Sequence, residues 1–386
     1  VKPRALLVLG LSFAALAAGC ARKTNAAASP PLAEKGRGLY VHYCATCHGP
    51  NATGYAADNA PSLRTTTFLE SATDAFLREG ILRGRPGTAM GGYGRAYGGP
   101  LGPEDADAII AFIRLGGPKP VALPAVTGRP PGDAKRGKPT YDGICARCHG
   151  TPTQRVSAVH LANLTFLSTA SDAFLRHAIE NGRPPTSMVP WKGALPPPMI
   201  DDVVAYLRSL VPAEGAPAPV VAPPRAPRKG PIVLNPKGRA PDFKLKEDRY
   251  VGIDQVKKAL DEKRRMIIAD ARGPSEYESL HIAGAISTPY YEHESLDDLP
   301  NDGTWVLAYC ACPHHVSGEV VDELRKRGYK HTAVIDEGVF AWQAKKYPVV
   351  AAPNAPPPPA PPPMPAPPSP HGAAPIQGFP PAPMKH

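Results

Sequence analysis

Cys44-Ala45-Thr46-Cys47-His48 recurs further along the chain as Cys145-Ala146-Arg147-Cys148-His149. Two thiols three positions apart can reach the two vinyl groups of one porphyrin. The adjacent imidazole is then carried under the ring, toward the iron. C-x-x-C-H therefore predicts covalent attachment of haem c. A zinc knuckle or a redox dithiol is the competing reading of a lone C-x-x-C, and the added histidine and the repetition weigh against it. Two covalent haem c groups are expected, one on Cys44 and Cys47 and one on Cys145 and Cys148, with His48 and His149 at the two irons.

The motif sits inside a longer repeat, 33–116 and 133–211. Gly36, Tyr40 and Cys44 stand four apart, and so do Gly137, Tyr141 and Cys145. A glycine on a helix face admits a second helix, and an aromatic residue one turn on fills the crossing. The expected partners close each copy, Pro103–Leu115 and Pro198–Leu210, with Phe112 and Tyr206 on their apolar stripes. Met199, at the entry to the second of these, is expected in the core. Between them, Thr73-Asp74-Ala75-Phe76-Leu77-Arg78 matches Ser171-Asp172-Ala173-Phe174-Leu175-Arg176. Thr73 and Ser171 are N-caps, and Gly84 and Gly182 are stops. Then come Gly84-Arg85-Pro86-Gly87-Thr88-Ala89-Met90 and Gly182-Arg183-Pro184-Pro185-Thr186-Ser187-Met188.

Each copy thereby resembles a class I cytochrome c, over about 160 residues in all. The resemblance implies an all-α fold, with His48 and Met90 as axial ligands of one haem and His149 and Met188 of the other. A thioether ligand stabilises ferrous iron, as an electron carrier requires. The first copy has Pro61, where the family often holds the proximal histidine with a proline carbonyl. The second has Val159-His160-Leu161 and a loop three residues shorter, which makes His160 an alternative sixth ligand to Met188.

After a Pro/Ala-rich linker, 212–240, the pattern changes to strands alternating with helices. Met266–Asp270, Ile282–Ile286, Trp305–Tyr309 and Thr332–Ile335 are expected strands, with a helix from about Ser317 to Arg327. This implies a parallel sheet under helices. Asp270-Ala271-Arg272, Glu276-Tyr277, His281-Ile282-Ala283-Gly284-Ala285 and Asp336-Glu337-Gly338 with Trp342 resemble a rhodanese homology domain over 241–350. Cys310, at the end of the expected central strand, takes its nucleophile position. A strand-to-helix loop aims backbone N–H groups at such a thiol, lowers its pKa and can cradle a persulfide. The loop Cys310-Ala311-Cys312-Pro313-His314-His315-Val316-Ser317 lacks the family's arginine, leaving His314 and His315 as positive groups. Cys312, Asp270 and Arg272 are further auxiliary candidates. Pro313 offers no N–H, so Cys310 is the expected nucleophile and Cys312 a resolving thiol.

At the other end, Lys2 and Arg4 precede an apolar run, Ala5–Ala18, which leads into Gly19-Cys20. The stretch 1–20 resembles a bacterial lipoprotein signal with Cys20 lipidated; a plain cleaved signal or a short anchor are the alternatives. All three place the protein outside the cytoplasm, in the periplasm or cell envelope, and the first anchors it to a membrane. The net charge of +10 does not mark a nucleic-acid surface. The stretches 33–116, 133–212 and 241–350 carry 0, +3 and −4, so the excess lies in the N-terminus, the linkers (117–132 and 212–240) and the tail 351–386. The expectation is a multidomain, exported dihaem electron carrier. Its partners are redox proteins or quinol-linked complexes, and its thiol domain either takes up sulfide or sulfane sulfur or serves only to dock a partner.

Overall fold

The computed structural model describes residues 30–54, 60–123, 132–156, 158–212, 232–311 and 315–352. Cys20 and its apolar run, Cys312, Pro313, His314 and the tail from 353 lie outside the described residues.

Helix α1 (Pro30–Tyr43) runs into a single turn, α2 (Ala45–His48), which carries the first C-x-x-C-H. The second copy opens on α6 (Ala134–Thr140), continues through a wider turn at Tyr141–Cys145, and reaches α7 (Ala146–His149). Each opening helix crosses the last helix of its copy, α5 (Pro103–Arg114) or α10 (Pro197–Ser209). Glycine makes the crossings possible. A Cβ on Gly36 would stand 1.8 Å from the carbonyl oxygen of Ala108, and one on Gly137 would stand 1.9 Å from that of Asp202. One turn on, Tyr40 meets Phe112 at 5.0 Å between ring centres and Tyr141 meets Tyr206 at 5.1 Å. Their hydroxyls donate to Gly49 O (2.8 Å) and Gly150 O (2.9 Å), which ties each crossing to the end of its motif. Gly137→Ala is expected to cost about 1–3 kcal/mol by forcing the helices apart; a lowered urea midpoint with unchanged slope checks it.

The middle helices α4 (Asp74–Leu82) and α9 (Asp172–Asn181) start where their caps predict. Phe76 N–H donates to Thr73 Oγ1 and Phe174 N–H to Ser171 Oγ, both at 3.1 Å. Two short helices, α3 (Thr66–Ser71) and α8 (Leu164–Thr169), precede them. These elements pair the copies about an approximate two-fold axis. Phe76 and Phe174 lie 4.7 Å apart. The Arg85 guanidinium covers the rings of Phe76 and Phe166, and Arg183 covers those of Phe174 and Phe68. Each arginine thus lies over one ring of its own copy and one of the other, the reciprocity of an isologous contact. Buried residues of both copies form one apolar core.

The third unit is a five-stranded parallel sheet in the order β1 (Tyr250–Val251), β6 (Thr332–Ile335), β5 (Trp305–Tyr309), β2 (Met266–Asp270), β4 (Ile286–Ser287). Both faces are covered, as a parallel sheet requires. Met266 and Ile268 pack on one side with Tyr309 and Trp342, and Ile267 and Ala269 on the other with Cys310 and Val320. Helices α11 (Ile253–Asp261) and α14 (Gly338–Ala344) pack together, the short α12 (Pro274–Ser279) follows β2, and α13 (His315–Lys326) lies on β5 and β6. The expected strand Ile282–Ile286 is corrected. It splits into β3 (Leu280–Ile282), antiparallel to β7 (Val349–Ala351), and β4, because Gly284 turns the chain at φ 84°. Met199 is corrected too: at 37 % exposure it stands at the surface, since the α10 stripe runs through Ile200, Val203 and Leu207 instead. Among the described residues no helix is long and apolar enough to cross a membrane.

Candidate functional site

His48 is buried, and its Nδ1 lies 3.0 Å from the carbonyl oxygen of Pro61. His149 makes the same bond at 2.8 Å, to Val159 O. A carbonyl only accepts, so each Nδ1 carries the proton and each Nε2 presents its lone pair, the tautomer a metal-binding imidazole needs. The proline missing from the second copy is immaterial here, because the bond is made by a backbone carbonyl. Burial lowers the pKa of both imidazoles and keeps them neutral. His160 follows Val159 directly, and its Nε2 is engaged by Thr151 O at 2.9 Å.

The two methionine loops are alike bond for bond. Arg85 N–H donates to Met90 O and Arg183 N–H to Met188 O, both at 2.7 Å. Met90 N–H donates to Thr88 Oγ1 (3.0 Å) and Met188 N–H to Thr186 Oγ1 (3.2 Å). Tyr93 N–H and Trp191 N–H then fasten the loops to Ile81 O and Ile179 O of the middle helices. Met90 and Met188 are half-buried, each on a loop shaped by its Thr and Arg rather than by a helix stripe.

Burial pushes the Cys44 thiol up to about 12 and the Cys145 thiol up to about 11. Such thiols are poor candidates for a redox dithiol, which needs a depressed pKa. Among the described residues no three His, Cys, Asp or Glu side chains converge as a zinc site would need. The donor set fits a haem better. Arg64 Nε, Arg155 Nε and Nη2, and Arg183 Nη2 are buried with no hydrogen-bond partner. Burial lowers the pKa of all three guanidiniums. Unmatched buried cations on the loops around the motifs suit an anionic ligand such as the propionates of haem. Sequence reasoning missed these arginines; only Arg183 carried a visible signal, the Gly-Arg-Pro that recurs in both copies.

In the third unit Cys310 directly follows the central strand β5 and is 1 % exposed. Ser317 Oγ, on α13, donates to its Sγ at 3.3 Å. His315 is the first residue of α13. Asp270 and Arg272 form a buried pair: Arg272 Nε donates to Asp270 Oδ1 at 2.9 Å and Nη2 to Oδ2 at 2.6 Å. Burial opposes the Arg272 charge, but Asp270 outweighs it and holds the guanidinium above its ordinary value. Tyr309 hydroxyl donates to Asp270 Oδ2 (2.7 Å) and accepts from Ile282 N–H (3.0 Å). Burial raises the Glu276 carboxyl to about 7.

The first copy is seated on this unit. Tyr290 hydroxyl donates to Tyr43 O (2.8 Å) and lies 3.1 Å from the Tyr93 hydroxyl; Thr46 Oγ1 donates to Glu319 Oε1 at 2.5 Å. The second copy touches it through Arg155, whose guanidinium lies 4.8 Å from the centre of the Phe340 ring.

Comparison with known proteins divides the chain in the same way. The family described as Cytochrome c matches residues 33–115, that described as Cytochrome C oxidase, cbb3-type, subunit III matches 132–207, and that described as Rhodanese-like domain matches 253–345. The Cbb3-type cytochrome c oxidase subunit FixP of Bradyrhizobium sp. (strain ORS 278) is 28 % identical over 185 residues, 46 % of this chain and 60 % of the relative. The subunit CcoP of Rubrivivax gelatinosus is 29 % identical over 190 residues, 48 % of this chain and 56 % of the relative. The chain thus spans less than two thirds of the length of these relatives. The solution structure of a rhodanese-like domain from Anabaena sp. is 21 % identical, with 36 % of this chain and 96 % of that chain covered and a TM-score of 0.26. The protein is multidomain, with helical cytochrome c regions and a rhodanese-like α/β domain built on a parallel sheet.

Proposed function

We propose that the protein moves single electrons through two haem c groups, and that sulfur chemistry at Cys310 supplies them. Cys44 and Cys47 would hold the first haem, with His48 and Met90 as axial ligands; Cys145, Cys148, His149 and Met188 would hold the second. When bound, each haem supplies a one-electron couple, which a thioether ligand biases toward the ferrous form. The observation that carries the reading is the pair of Nδ1–carbonyl bonds, which leave the Nε2 lone pair of both histidines for a metal, in two copies whose methionine loops share one geometry. Met188 is preferred to His160, because Thr151 O already engages His160 Nε2 on the loop that anchors His149. The unpaired nitrogens of Arg64, Arg155 and Arg183 would take the propionates.

The apposed copies favour transfer from one haem to the other within the chain. Export, lipidation at Cys20 and placement at the bacterial envelope complete the reading, with redox proteins or quinol-linked complexes as partners. The test of the ligands is spectroscopic. Met90→Ala and Met188→Ala should each remove part of the weak far-red band that oxidised Met-ligated haem shows. An unchanged band in Met188→Ala, together with a perturbed one in His160→Ala, gives the second site to His160.

A second reading has one observation in its favour: Cys310 is buried beneath the first copy, beside Ala311 and Val316. In that case the rhodanese-like domain is a docking module and the chain a pure electron carrier.

A further inference from the structure

One small cavity, about 30 Å³, is lined by both units: Cys47, Gly92 and Tyr93 from the first copy, and Arg272, Glu276 and Cys310 from the third unit. The first copy thus brings its haem-attachment cysteine and its methionine loop together over the thiol. The seam is tight. A Cβ on Gly91 would stand 1.9 Å from Glu276 Oε2, so a larger residue beside Met90 must displace that carboxylate. The matching residue of the second copy is Val189, 52 % exposed, and its Cys148 is exposed as well. One copy has closed this edge over Cys310, and the other leaves it in solvent.

The chamber also has the marks of a ligand site. Besides the Cys310 sulfur, Tyr291 lines it, and the Tyr291 hydroxyl is buried with no hydrogen-bond partner. A buried O–H left without an acceptor is costly unless something occupies the space beside it. A cavity of this size has room for at least one water-sized molecule. It therefore has room for a small anion such as hydrosulfide.

Building on the two-haem reading above, we infer that Cys310 and the first copy form one composite centre, which oxidises hydrosulfide to a cysteine persulfide and passes the electrons out through the first copy. The Cys310 thiolate and hydrosulfide join through a new S–S bond. The S–H bond of hydrosulfide breaks, its proton goes to water, and two electrons leave. Two ferric c-type haems would be the oxidant, taking one electron each, the nearer one held through Cys47, which lines the cavity with Cys310. Ser317 hydroxyl holds the thiolate, and Tyr291 hydroxyl binds the incoming anion.

The test uses the full-length, haem-loaded, oxidised protein with sodium hydrosulfide or thiosulfate as probe. Sulfur is located by mass spectrometry and haem reduction followed by absorbance. Hydrosulfide should add one sulfur to Cys310 and reduce both haems, thiosulfate, whose sulfur transfer releases sulfite and no electrons, should reduce neither, and Tyr291→Phe should need a higher hydrosulfide concentration with unchanged haem spectra. In the absence of sulfur, Cys310 should alkylate slowly. Gly91→Leu should open the seam and speed that reaction at least about tenfold, with Tyr290→Phe as a milder second variant. Val189→Leu should leave it unchanged.

Equal haem reduction by thiosulfate, sulfur from hydrosulfide on Cys312 instead, sulfur from hydrosulfide on Cys310 without haem reduction, or unchanged alkylation in both seam variants overturns the composite centre. Each of these leaves the two-haem reading intact. That reading fails separately, if no covalent haem is present before sulfur is added.

Discussion

Protein carrying Cys44→Ser and Cys47→Ser is expected to retain one covalent haem of the two, and protein carrying Cys145→Ser and Cys148→Ser the other. Haem content per chain after acid-acetone extraction, by pyridine haemochrome absorbance, measures both. The expectation rests on each copy being complete in itself. Each has its own crossing of first and last helix, its own histidine bonded through Nδ1 to a carbonyl, and its own methionine loop. The two losses should nonetheless differ in consequence. Cys47 lines the chamber with Cys310, whereas Cys148 is exposed. Losing the first haem should therefore change the alkylation rate of Cys310, and losing the second should not. A zinc or dithiol role for the motifs predicts no extraction-resistant haem in any of these proteins.

Long amphipathic elements with caps were legible in the sequence. Pro103–Leu115 is observed as Pro103–Arg114, Pro198–Leu210 as Pro197–Ser209, and the helix expected from Ser317 begins at His315. Three or more turns of apolar periodicity and a Pro or Ser/Thr start overdetermine such helices. Thr66–Ser71 and Leu164–Thr169 were not foreseen, because six residues are too few to display a period. The Gly284 turn was hidden inside an apolar run that read as one strand.

At the candidate site the chemistry-bearing residues were visible as words, but their company was not. Glu276 was read only as part of a fold motif, yet it packs against Gly91 of another unit. Tyr290 and Tyr291 carried no signal at all, although Tyr290 bonds the first copy and Tyr291 lines the shared cavity. A flexible Pro/Ala linker permits contact without specifying it. Which faces meet depends on shape across distant segments, and no local pattern records that.

Asp270→Ala is expected to unfold the rhodanese-like unit, at a cost of about 3–5 kcal/mol, rather than to impair a folded catalyst. Both partners of the Asp270–Arg272 pair are buried. Removing the carboxylate leaves Arg272 charged in the interior, with only Leu280 O still accepting from it. It also strips the Tyr309 hydroxyl of its acceptor, while Ile282 N–H still depends on that oxygen. A typical domain is stable by about 5–15 kcal/mol, so the loss is a large share of what holds this one together. Far-UV circular dichroism against urea checks it, and Arg272→Met together with Asp270→Leu should recover much of the loss, since an apolar pair needs no counter-charge.

Register explains why thiol chemistry should fail with it. Asp270 pairs with Tyr309 across β2 and β5, and Tyr309 packs on the face opposite to Cys310. Asp270 thus holds the Tyr309 hydroxyl on one side of the sheet while the sulfur emerges on the other, and only its partner Arg272 reaches the cavity beside Cys310. At temperatures low enough for Asp270→Ala to stay folded, Cys310 should alkylate as it does in the unaltered protein. A folded variant with altered Cys310 reactivity would instead make Asp270 a group that acts on the thiol.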